Sequence, residues 1–222
     1  MENTALEIVK ELKSHGHEAF WAGGTVRDML FGKTPKDYDI VTSAKPEEIE
    51  DILEHTIPIG KKFGVILAVR NGHNFEVATF RSDAAYSDGR RPDAVYFTDP
   101  KEDALRRDFT INGMFYDPVG KKVLDFVGGS EDLKSRILRF IGDPHERIVE
   151  DNLRLLRAVR FKNSLGLDYA LGTPEAIKRN AKLIENVSAE RIQEELTKIL
   201  IASGRGQAFR ELSKAGILKI IL

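Results

Sequence analysis

The sequence predicts an α+β protein, with a small mixed sheet and helices over residues 1–142 and an all-helical region over residues 143–222. In the first region, short apolar runs alternate with helical patterns of two or three turns and with Gly, Pro and Asp residues. Beyond Pro144, apolar residues recur at intervals of three and four positions, which is typical of amphipathic helices. The change of pattern predicts two domains that meet near residue 142.

Turn, loop and cap residues predict further features within both regions. A β-hairpin is predicted by two apolar runs, GVILAVR and NFEVATF, because the Asn-Gly between them favours the positive φ angles of a tight turn. The polar stretch 82–99 has the composition of a long mobile loop. In the second region, Thr173 and Ser188 stand where helix N-caps are expected.

Composition excludes several classes of function. The formal net charge of −1 gives no general basic footprint of the kind expected for a nucleic-acid binder. No apolar run approaches the ~20 residues that a membrane span requires, and the first residues show no signal-peptide pattern. The absence of cysteine excludes disulfides, thiol catalysis and thiolate metal sites. We therefore expect a cytoplasmic protein without a membrane partner, in which any metal is bound by oxygen or imidazole.

Two aspartates stand one residue apart in the stretch KDYDIV. If this stretch is a strand, its period of two places Asp37 and Asp39 on one face, where their charges repel each other. A divalent cation would relieve the repulsion, and carboxylate oxygens suit Mg²⁺ or Mn²⁺. The alternative is a surface turn or a helix-capping pair.

The residues before these aspartates suggest a phosphate-binding turn. Gly23 and Gly24 separate an apolar strand from a helical stretch, so their backbone can approach a phosphate chain closely and the helix N-terminus can add partial positive charge. Arg27, one turn into the helix, could pair with phosphate oxygens. The alternative is a plain strand-to-helix turn. Together with the aspartates, the pattern describes a nucleoside triphosphate held by backbone and arginine at one end and by two metal ions at the other.

A third carboxylate would complete such a site, and Glu76 is the candidate. It lies on a predicted strand where Ala78 and Phe80 share its face and are apolar, so an acid there is expected to have a partner. An edge-strand glutamate exposed to water is the equal alternative.

Further motifs complete a resemblance to a known family. With the opening stretch, they resemble in order and spacing the motif set of the class II tRNA nucleotidyltransferases and bacterial poly(A) polymerases, the family that includes the CCA-adding enzymes. These motifs are LRRDFTINGM, DFVGGSEDLKSRILRFIGDP, RIVEDNLRLLRAVRF and SAERIQEEL. The resemblance covers essentially the whole chain. It implies a polymerase-β-type catalytic head followed by a helical neck, and addition of nucleotides to an RNA 3′ end without a nucleic-acid template.

The resemblance also implies roles for individual residues. Asp37 and Asp39 would hold two Mg²⁺ ions, with Mn²⁺ as a substitute, and Glu76 is added as a candidate catalytic carboxylate. Asp151 and Arg154 would read the base. The residues implied to contact the incoming nucleotide are Gly24, Arg27, Arg107, Asp108, Asp151, Arg154, Arg157 and Arg160.

Helical geometry supports most of the base-reading assignment. On one continuous helix, Asp151, Arg154 and Arg157 fall within an arc of roughly 120°. Arg160 lies roughly 180° from Asp151, so a phosphate-binding or structural role suits it better. The alternative for the whole helix is a solvated face with (i, i+3) salt bridges.

The predicted reaction is attack of a tRNA 3′ hydroxyl on the α-phosphorus of CTP or ATP. The stretch IGKKFGVI resembles tRNA nucleotidyltransferases more than poly(A) polymerases, and DGRRP within residues 82–99 resembles enzymes able to add the terminal A. An A-adding enzyme, a poly(A) polymerase, a small-molecule nucleotidyltransferase and a non-catalytic RNA-binding module that keeps the fold are the alternatives. The chain departs from the family pattern at Gly113 and Asn152, and it stops where family members continue into regions that bind tRNA.

Overall fold

The computed structural model describes residues 1–84 and 93–222. The described residues form two compact units. Unit 1 contains residues 1–84, 94–107 and 111–130, and unit 2 contains Asp93 with residues 108–110 and 131–222. No helix in these described residues is long and apolar enough to cross a membrane.

Unit 1 is built on a mixed sheet. Its strands are β1 (Ala19–Ala22), β2 (Ile40–Thr42), β3 (Thr56–Gly60), β4 (Val65–Arg70), β5 (His73–Thr79), β6 (Arg81–Asp83), β7 (Val95–Phe97), β8 (Met114–Asp117) and β9 (Lys122–Asp125). Its helices are α1 (Glu2–Ser14), α2 (Gly24–Leu30), α3 (Pro46–Ile52) and α4 (Pro100–Leu105), and α5 (Gly129–Lys134) follows β9 along the chain. Seven strands form one sheet in the order β3-β4-β5-β2-β1-β8-β9.

The sheet places β2 between β1 and β5. β2 pairs with β5 in parallel, whereas β1, β4 and β8 make antiparallel pairs. The predicted hairpin is confirmed as β4 and β5, and Asn71 and Gly72 in its turn have φ angles of 52° and 72°. β1 is buried throughout, and its Phe20 packs with Phe80 and Phe115 in the core.

The polar stretch 82–99 contains more regular structure than predicted. β6 and β7 pair antiparallel, from Arg81 opposite Phe97 to Asp83 opposite Val95. Residues 85–92 of the predicted mobile loop, which include the DGRRP motif, lie outside the described residues.

Unit 2 is mainly helical. Its helices are α6 (Pro144–Glu150), α7 (Arg154–Leu165), α8 (Thr173–Asn180), α9 (Ala189–Ile201), α10 (Arg205–Lys214) and α11 (Leu218–Ile221). Two short strands, β10 (Ile137–Leu138) and β11 (Asp168–Tyr169), pair in parallel. The predicted α+β class with a helical second half is therefore confirmed, with the two-residue β11 as an addition.

The predicted N-caps of unit 2 are half right. Ser188 occupies the N-cap position of α9, although no cap hydrogen bond from its side chain is formed. Thr173 is instead the first residue of α8, and the N-cap is Gly172 with a φ of 83°. A left-handed glycine reverses the chain after β11, which moves the start of the helix by one residue.

Candidate active site

The turn between β1 and α2 depends on Gly23. Its backbone has φ 61° and ψ −123°, a conformation that L side chains rarely adopt. A Cβ built on Gly23 would lie 3.2 Å from Nη1 of Arg107 and 3.9 Å from Oδ2 of Asp39. At Gly24, the contact predicted from the resemblance, a Cβ would meet only Arg27, at 3.5 Å. Gly23 is therefore the glycine of the pair at which both the backbone conformation and the available space disfavour a side chain.

Asp37 and Asp39 immediately precede a strand. β2 begins only at Ile40, so the predicted strand starts later than expected. Exposure nevertheless alternates as a strand would require, because both aspartates are exposed while Tyr38 and Ile40 are buried. The two carboxylates thus keep the common solvent-facing side that the sequence predicted.

Glu76 lies on β5, beside the strand that follows the aspartates. In the parallel pairing of β2 with β5, Ile40 lies opposite Val77, so the preceding residues, Asp39 and Glu76, are neighbours along the register. β5 has β4 on one side and β2 on the other, so it is an interior strand of the sheet. Glu76 is therefore not an edge-strand residue, although it is exposed to solvent as that alternative expected.

The electrostatic environment of Asp39 brings the candidate residues together. Although Asp39 as a residue is exposed, the protein around its carboxylate displaces part of the surrounding water and raises its pKa, and the carboxylates of Glu76 and Asp37 raise it further. Arg107 and Arg27 lower it, but the net shift of the pKa is upward. A like-charged cluster of this kind favours a bound cation.

The donor set fits a hard divalent cation. All three acids offer carboxylate oxygens, which are the ligands that Mg²⁺ takes in proteins together with substrate phosphates. Among residues 1–84 and 93–222, no three His, Asp or Glu side chains are grouped closely enough to hold a metal ion by themselves. A cation at Asp37 and Asp39 would therefore complete its coordination with phosphate oxygens and water.

Arg27 is oriented by two side chains. Its Nε donates to Oδ1 of Asp28 at 2.9 Å, and its Nη1 donates to Oδ1 of Asn112 at 2.7 Å. Asn112 is buried and belongs to the motif LRRDFTINGM, but sequence reasoning gave it no role. An amide that aligns an arginine could not be recognised from spacing, because 85 positions separate the two residues.

Arg107 is oriented by Asp103, a fully buried acid on α4 that sequence reasoning also missed. Nε and Nη2 of Arg107 donate to Oδ2 of Asp103 at 3.1 and 2.9 Å, while the guanidinium lies over the ring of Phe115. Burial would raise the pKa of Asp103, but Arg107 and Arg106 outweigh it and hold the pKa below its ordinary value. The (i, i+4) spacing from Asp103 to Arg107 was the available signal.

Asp108 follows Arg107 along the chain but belongs to unit 2. Its Oδ2 accepts hydrogen bonds from Nε and Nη2 of Arg157 at 2.8 and 2.5 Å. Burial alone would lower the pKa of Arg157, but the carboxylate of Asp108, together with those of Glu195 and Asp151, raises it above its ordinary value. Two residues predicted to contact the nucleotide therefore form an ion pair within unit 2.

The continuous helix predicted through Asp151, Arg154 and Arg157 is wrong, because the chain leaves the helix between α6 and α7. The carboxylate of Asp151 accepts the N–H of Leu153 at 3.2 Å, and the amide of Asn152 donates to the carbonyl of Ile148 at 2.8 Å. Such local bonds compete with the backbone bonds of a helix. The 120° arc calculated for a continuous helix does not apply here.

The two proposed base-reading side chains have different partners in the structure. Asp151 accepts hydrogen bonds from Nη2 of Arg191 at 3.0 and 3.1 Å. Arg154 is buried and donates from Nη1 to the carbonyl of Arg147 and to Oε2 of Glu150, both at 2.7 Å. Sequence reasoning did not identify Arg191, because it comes from α9, 40 positions away.

Arg160 is bound to the protein itself. Its Nε pairs with the buried carboxylate of Glu195, and its guanidinium lies 4.0 Å from the ring centre of Phe161. Of the two roles that helical geometry left open for Arg160, this arrangement favours the structural one.

Comparison with known proteins identifies the family. Residues 19–139 match the Poly A polymerase head domain, and residues 170–222 match the Probable RNA and SrmB- binding site of polymerase A. The CCA-adding enzyme of Bacillus licheniformis is 41% identical over 216 residues, which are 97% of this chain and 54% of that protein. The CCA-adding enzyme of Staphylococcus aureus is 43% identical over 209 residues, or 94% of this chain and 52% of that protein. The chain thus spans about half the length of the curated relatives it matches.

Solved structures agree with this match. The Bacillus stearothermophilus CCA-adding enzyme in complex with CTP superposes with a TM-score of 0.88 at 39% identity, over 97% of this chain and 52% of that one. The Thermotoga maritima CCA-adding enzyme in complex with tRNA gives a TM-score of 0.81 at 25% identity, over 98% of this chain and 51% of that one. The predicted family and the predicted head and neck architecture are confirmed. The chain belongs to the family of the poly A polymerase head domain.

Proposed function

We propose that the protein is a template-independent RNA 3′-terminal nucleotidyltransferase that adds C, A or both to tRNA 3′ ends. CTP and ATP would be its substrates and pyrophosphate its product. One observation carries this proposal: a Cβ built on Gly23 would lie 3.2 Å from Nη1 of Arg107 and 3.9 Å from Oδ2 of Asp39, so the glycine turn, an arginine and a candidate metal ligand come together. The charges of Asp37, Glu76 and Arg27 also act on Asp39. The relatives named as CCA-adding enzymes support tRNA as the acceptor.

In the proposed reaction, the RNA 3′ oxygen attacks the α-phosphorus of the nucleotide. A P–O bond forms to the RNA, and the bond from the α-phosphorus to the pyrophosphate oxygen breaks. Mg²⁺ at Asp37 and Asp39, two ions by resemblance, would lower the pKa of the attacking hydroxyl and stabilise the leaving oxygen. Glu76 would add negative charge to the cation site.

The arginines of unit 1 would bind the triphosphate. Arg107 is held on one edge by Asp103, and its Nη1 lies beside Gly23, where a side chain would crowd it. Arg27 is aligned by Asp28 and Asn112 in the first turns of α2. Guanidinium groups fixed in this way lose little freedom when phosphate binds, and they offset the charge that moves onto the pyrophosphate.

Base reading is proposed for Asp151 and Arg154 of unit 2. An aspartate accepts and an arginine donates hydrogen bonds, so the pair can match the edge of a cytosine or adenine without a nucleic-acid template. In the structure Asp151 is paired with Arg191, and Arg154 with Glu150. Base reading would then require these side chains to exchange protein partners for the base. We assign Arg160 a structural role and Arg157 a role in orienting Asp108.

The cytoplasm is the proposed location. The chain contains no cysteine, which fits a reducing compartment.

An incorporation assay tests the proposal. The protein is incubated with Mg²⁺ and labelled CTP or ATP on tRNAs ending before CCA, after C and after CC, and products are resolved at single-nucleotide length. Addition that stops at CCA supports a CCA-adding enzyme, and a single A on the CC-ended tRNA supports an A-adding enzyme. A long A tail would favour a poly(A) polymerase. Absence of incorporation with intact CTP binding would contradict the proposal and favour a non-catalytic RNA-binding module.

Asp39→Ala serves as the matched negative variant. It should abolish incorporation, while the far-UV circular dichroism stays unchanged and the protein still unfolds cooperatively at a melting temperature no lower than that of the wild type. Asp51→Ala, which removes an exposed aspartate on α3, should retain wild-type incorporation. Near-normal activity of Asp39→Ala would contradict the metal-binding assignment.

A further inference from the structure

Thr25 connects the glycine turn to both candidate metal-binding aspartates. It lies in the first turn of α2 and is 3% exposed. Its hydroxyl donates a hydrogen bond to the carbonyl of Asp37 at 3.0 Å and accepts one from the N–H of Asp39 at 3.2 Å. One side-chain oxygen therefore binds the backbone on both sides of Tyr38.

The segment bound by Thr25 lies outside regular structure and carries repelling charges. Asp37 and Asp39 precede β2, so the sheet ladder does not include them, although the carbonyl of Asp39 accepts the N–H of Ala22 at 3.0 Å. Tyr38 between them is buried, with its ring centre 4.8 Å from that of Trp21. The hydroxyl of Thr25 adds a further anchor to these, on the backbone of both aspartates.

We propose that Thr25 is a positioning residue that holds Asp37 and Asp39 at a fixed spacing, against their repulsion, as a preformed site for a divalent cation. It also fixes this pair to the Gly23 turn, because Thr25 belongs to the helix that the turn begins. The inference rests on the proposed function of the aspartates as metal ligands.

The test compares Thr25→Val, which keeps the shape but removes the hydroxyl, with Thr25→Ser, which keeps the hydroxyl. The chain offers a matched control in Thr42, whose fully buried hydroxyl donates to the carbonyl of Glu18 at 2.7 Å and accepts the N–H of Ala44 at 3.1 Å. Thr42→Val thus removes the same kind of backbone bridge in the same unit, at the other end of β2.

Binding of Mn²⁺ to the full chain, without nucleotide or RNA, is measured from the electron paramagnetic resonance signal of the free ion. Loss of two hydrogen bonds should weaken Mn²⁺ binding by Thr25→Val roughly tenfold. The Mn²⁺ affinities of Thr25→Ser and Thr42→Val should stay within about twofold of the wild-type affinity, by the same reasoning. The melting temperatures of Thr25→Val and Thr42→Val should nevertheless fall by similar amounts. Wild-type Mn²⁺ affinity of Thr25→Val, or equal weakening by Thr42→Val, would overturn the inference.

Asp39→Ala separates this inference from the proposed function. If the wild type binds Mn²⁺ and Asp39→Ala does not, the metal site is established, and the Thr25 variants decide the positioning role alone. If Asp39→Ala binds Mn²⁺ as well as the wild type, the metal assignment itself fails. In incorporation assays, Thr25→Val should raise the metal concentration needed for half-maximal rate roughly tenfold, while the rate at saturating metal stays within about threefold.

Discussion

Replacing Gly23 with alanine should separate the cost of backbone strain from the cost of a misplaced arginine. With φ 61° and ψ −123°, an L residue at this position is strained by about 2 kcal/mol. For a unit of this size, that loss of stability should lower the melting temperature by roughly 5–10 °C. The fold should survive, because the strain is smaller than the free energy of unfolding of a typical domain, about 5–15 kcal/mol.

The effect of Gly23→Ala on activity should be larger than its effect on stability suggests. The new methyl group would lie 3.2 Å from Nη1 of Arg107, closer than an ordinary contact. Arg107 cannot move away easily, because Asp103 holds its other edge with two hydrogen bonds. Either the guanidinium or the turn must shift, and a shift approaching 1 Å at a reacting phosphate can reduce turnover about 100-fold. We expect kcat/KM for CTP to fall about 10- to 100-fold.

Gly32→Ala is the matched control for this prediction. Gly32 has a φ of 70°, but no described atom lies within 4 Å of a Cβ built on it. Thermal melts and single-nucleotide incorporation are measured on both variants. Gly32→Ala should lose stability and keep its turnover, whereas Gly23→Ala should lose both. Wild-type turnover of Gly23→Ala, or an equal loss of turnover in Gly32→Ala, would refute the reasoning.

Three further predictions concern charged side chains. Asp39→Asn should abolish incorporation yet raise the melting temperature at pH 7, because the raised pKa of Asp39 means that its ionised form destabilises the folded state. The gain in melting temperature should vanish as the pH falls below about 4, where the wild-type aspartate is protonated in both the folded and the unfolded state. A lower melting temperature of Asp39→Asn at pH 7 would contradict this prediction. As the pH is lowered, the wild type should lose Mn²⁺ binding at a pH higher than the ordinary pKa range of aspartate, because the pKa of Asp39 is raised. Glu76→Gln should move the midpoint of this loss to lower pH. An unchanged midpoint would exclude Glu76 from the site. Arg160→Met should destabilise unit 2 by about 3 kcal/mol, because buried Glu195 loses Arg160 and keeps the more exposed Lys198 at 3.8 Å. Adding Glu195→Leu should restore most of the melting temperature. CTP affinity measured well below the melting transition should not change.

The parts of the fold that the sequence predicted correctly depend on local signals. The hairpin of β4 and β5 follows from Asn71 and Gly72, whose positive φ angles match the turn that Asn-Gly favours. The common side of Asp37 and Asp39 follows from the period of two, which is kept although the strand starts only at Ile40. Local preference and tertiary structure agree at these positions.

The missed features depend on contacts between distant residues or on competing hydrogen bonds. Asn112 aligns Arg27 across 85 positions, and Arg191 reaches Asp151 across 40. Periodicity predicted one helix through Asp151, but the side chains of Asp151 and Asn152 bond to nearby backbone and interrupt it. Apolar spacing carries no information about such polar bonds.

The arginines and acids of unit 1 are arranged in opposite ways, and this difference supports a division of labour. Arg107 and Arg27 each have an acid that fixes one edge of the guanidinium, Asp103 and Asp28 respectively. Asp39 instead has two further carboxylates in its surroundings, and their combined effect on its pKa exceeds that of the two arginines. Guanidinium groups that are held in place are suited to bind phosphate. Carboxylates that are kept together against their repulsion are suited to bind a divalent cation. A single buried hydroxyl, that of Thr25, links the helix of Arg27 to both aspartates, so the spacing between the two kinds of site is set by the fold before any ligand binds.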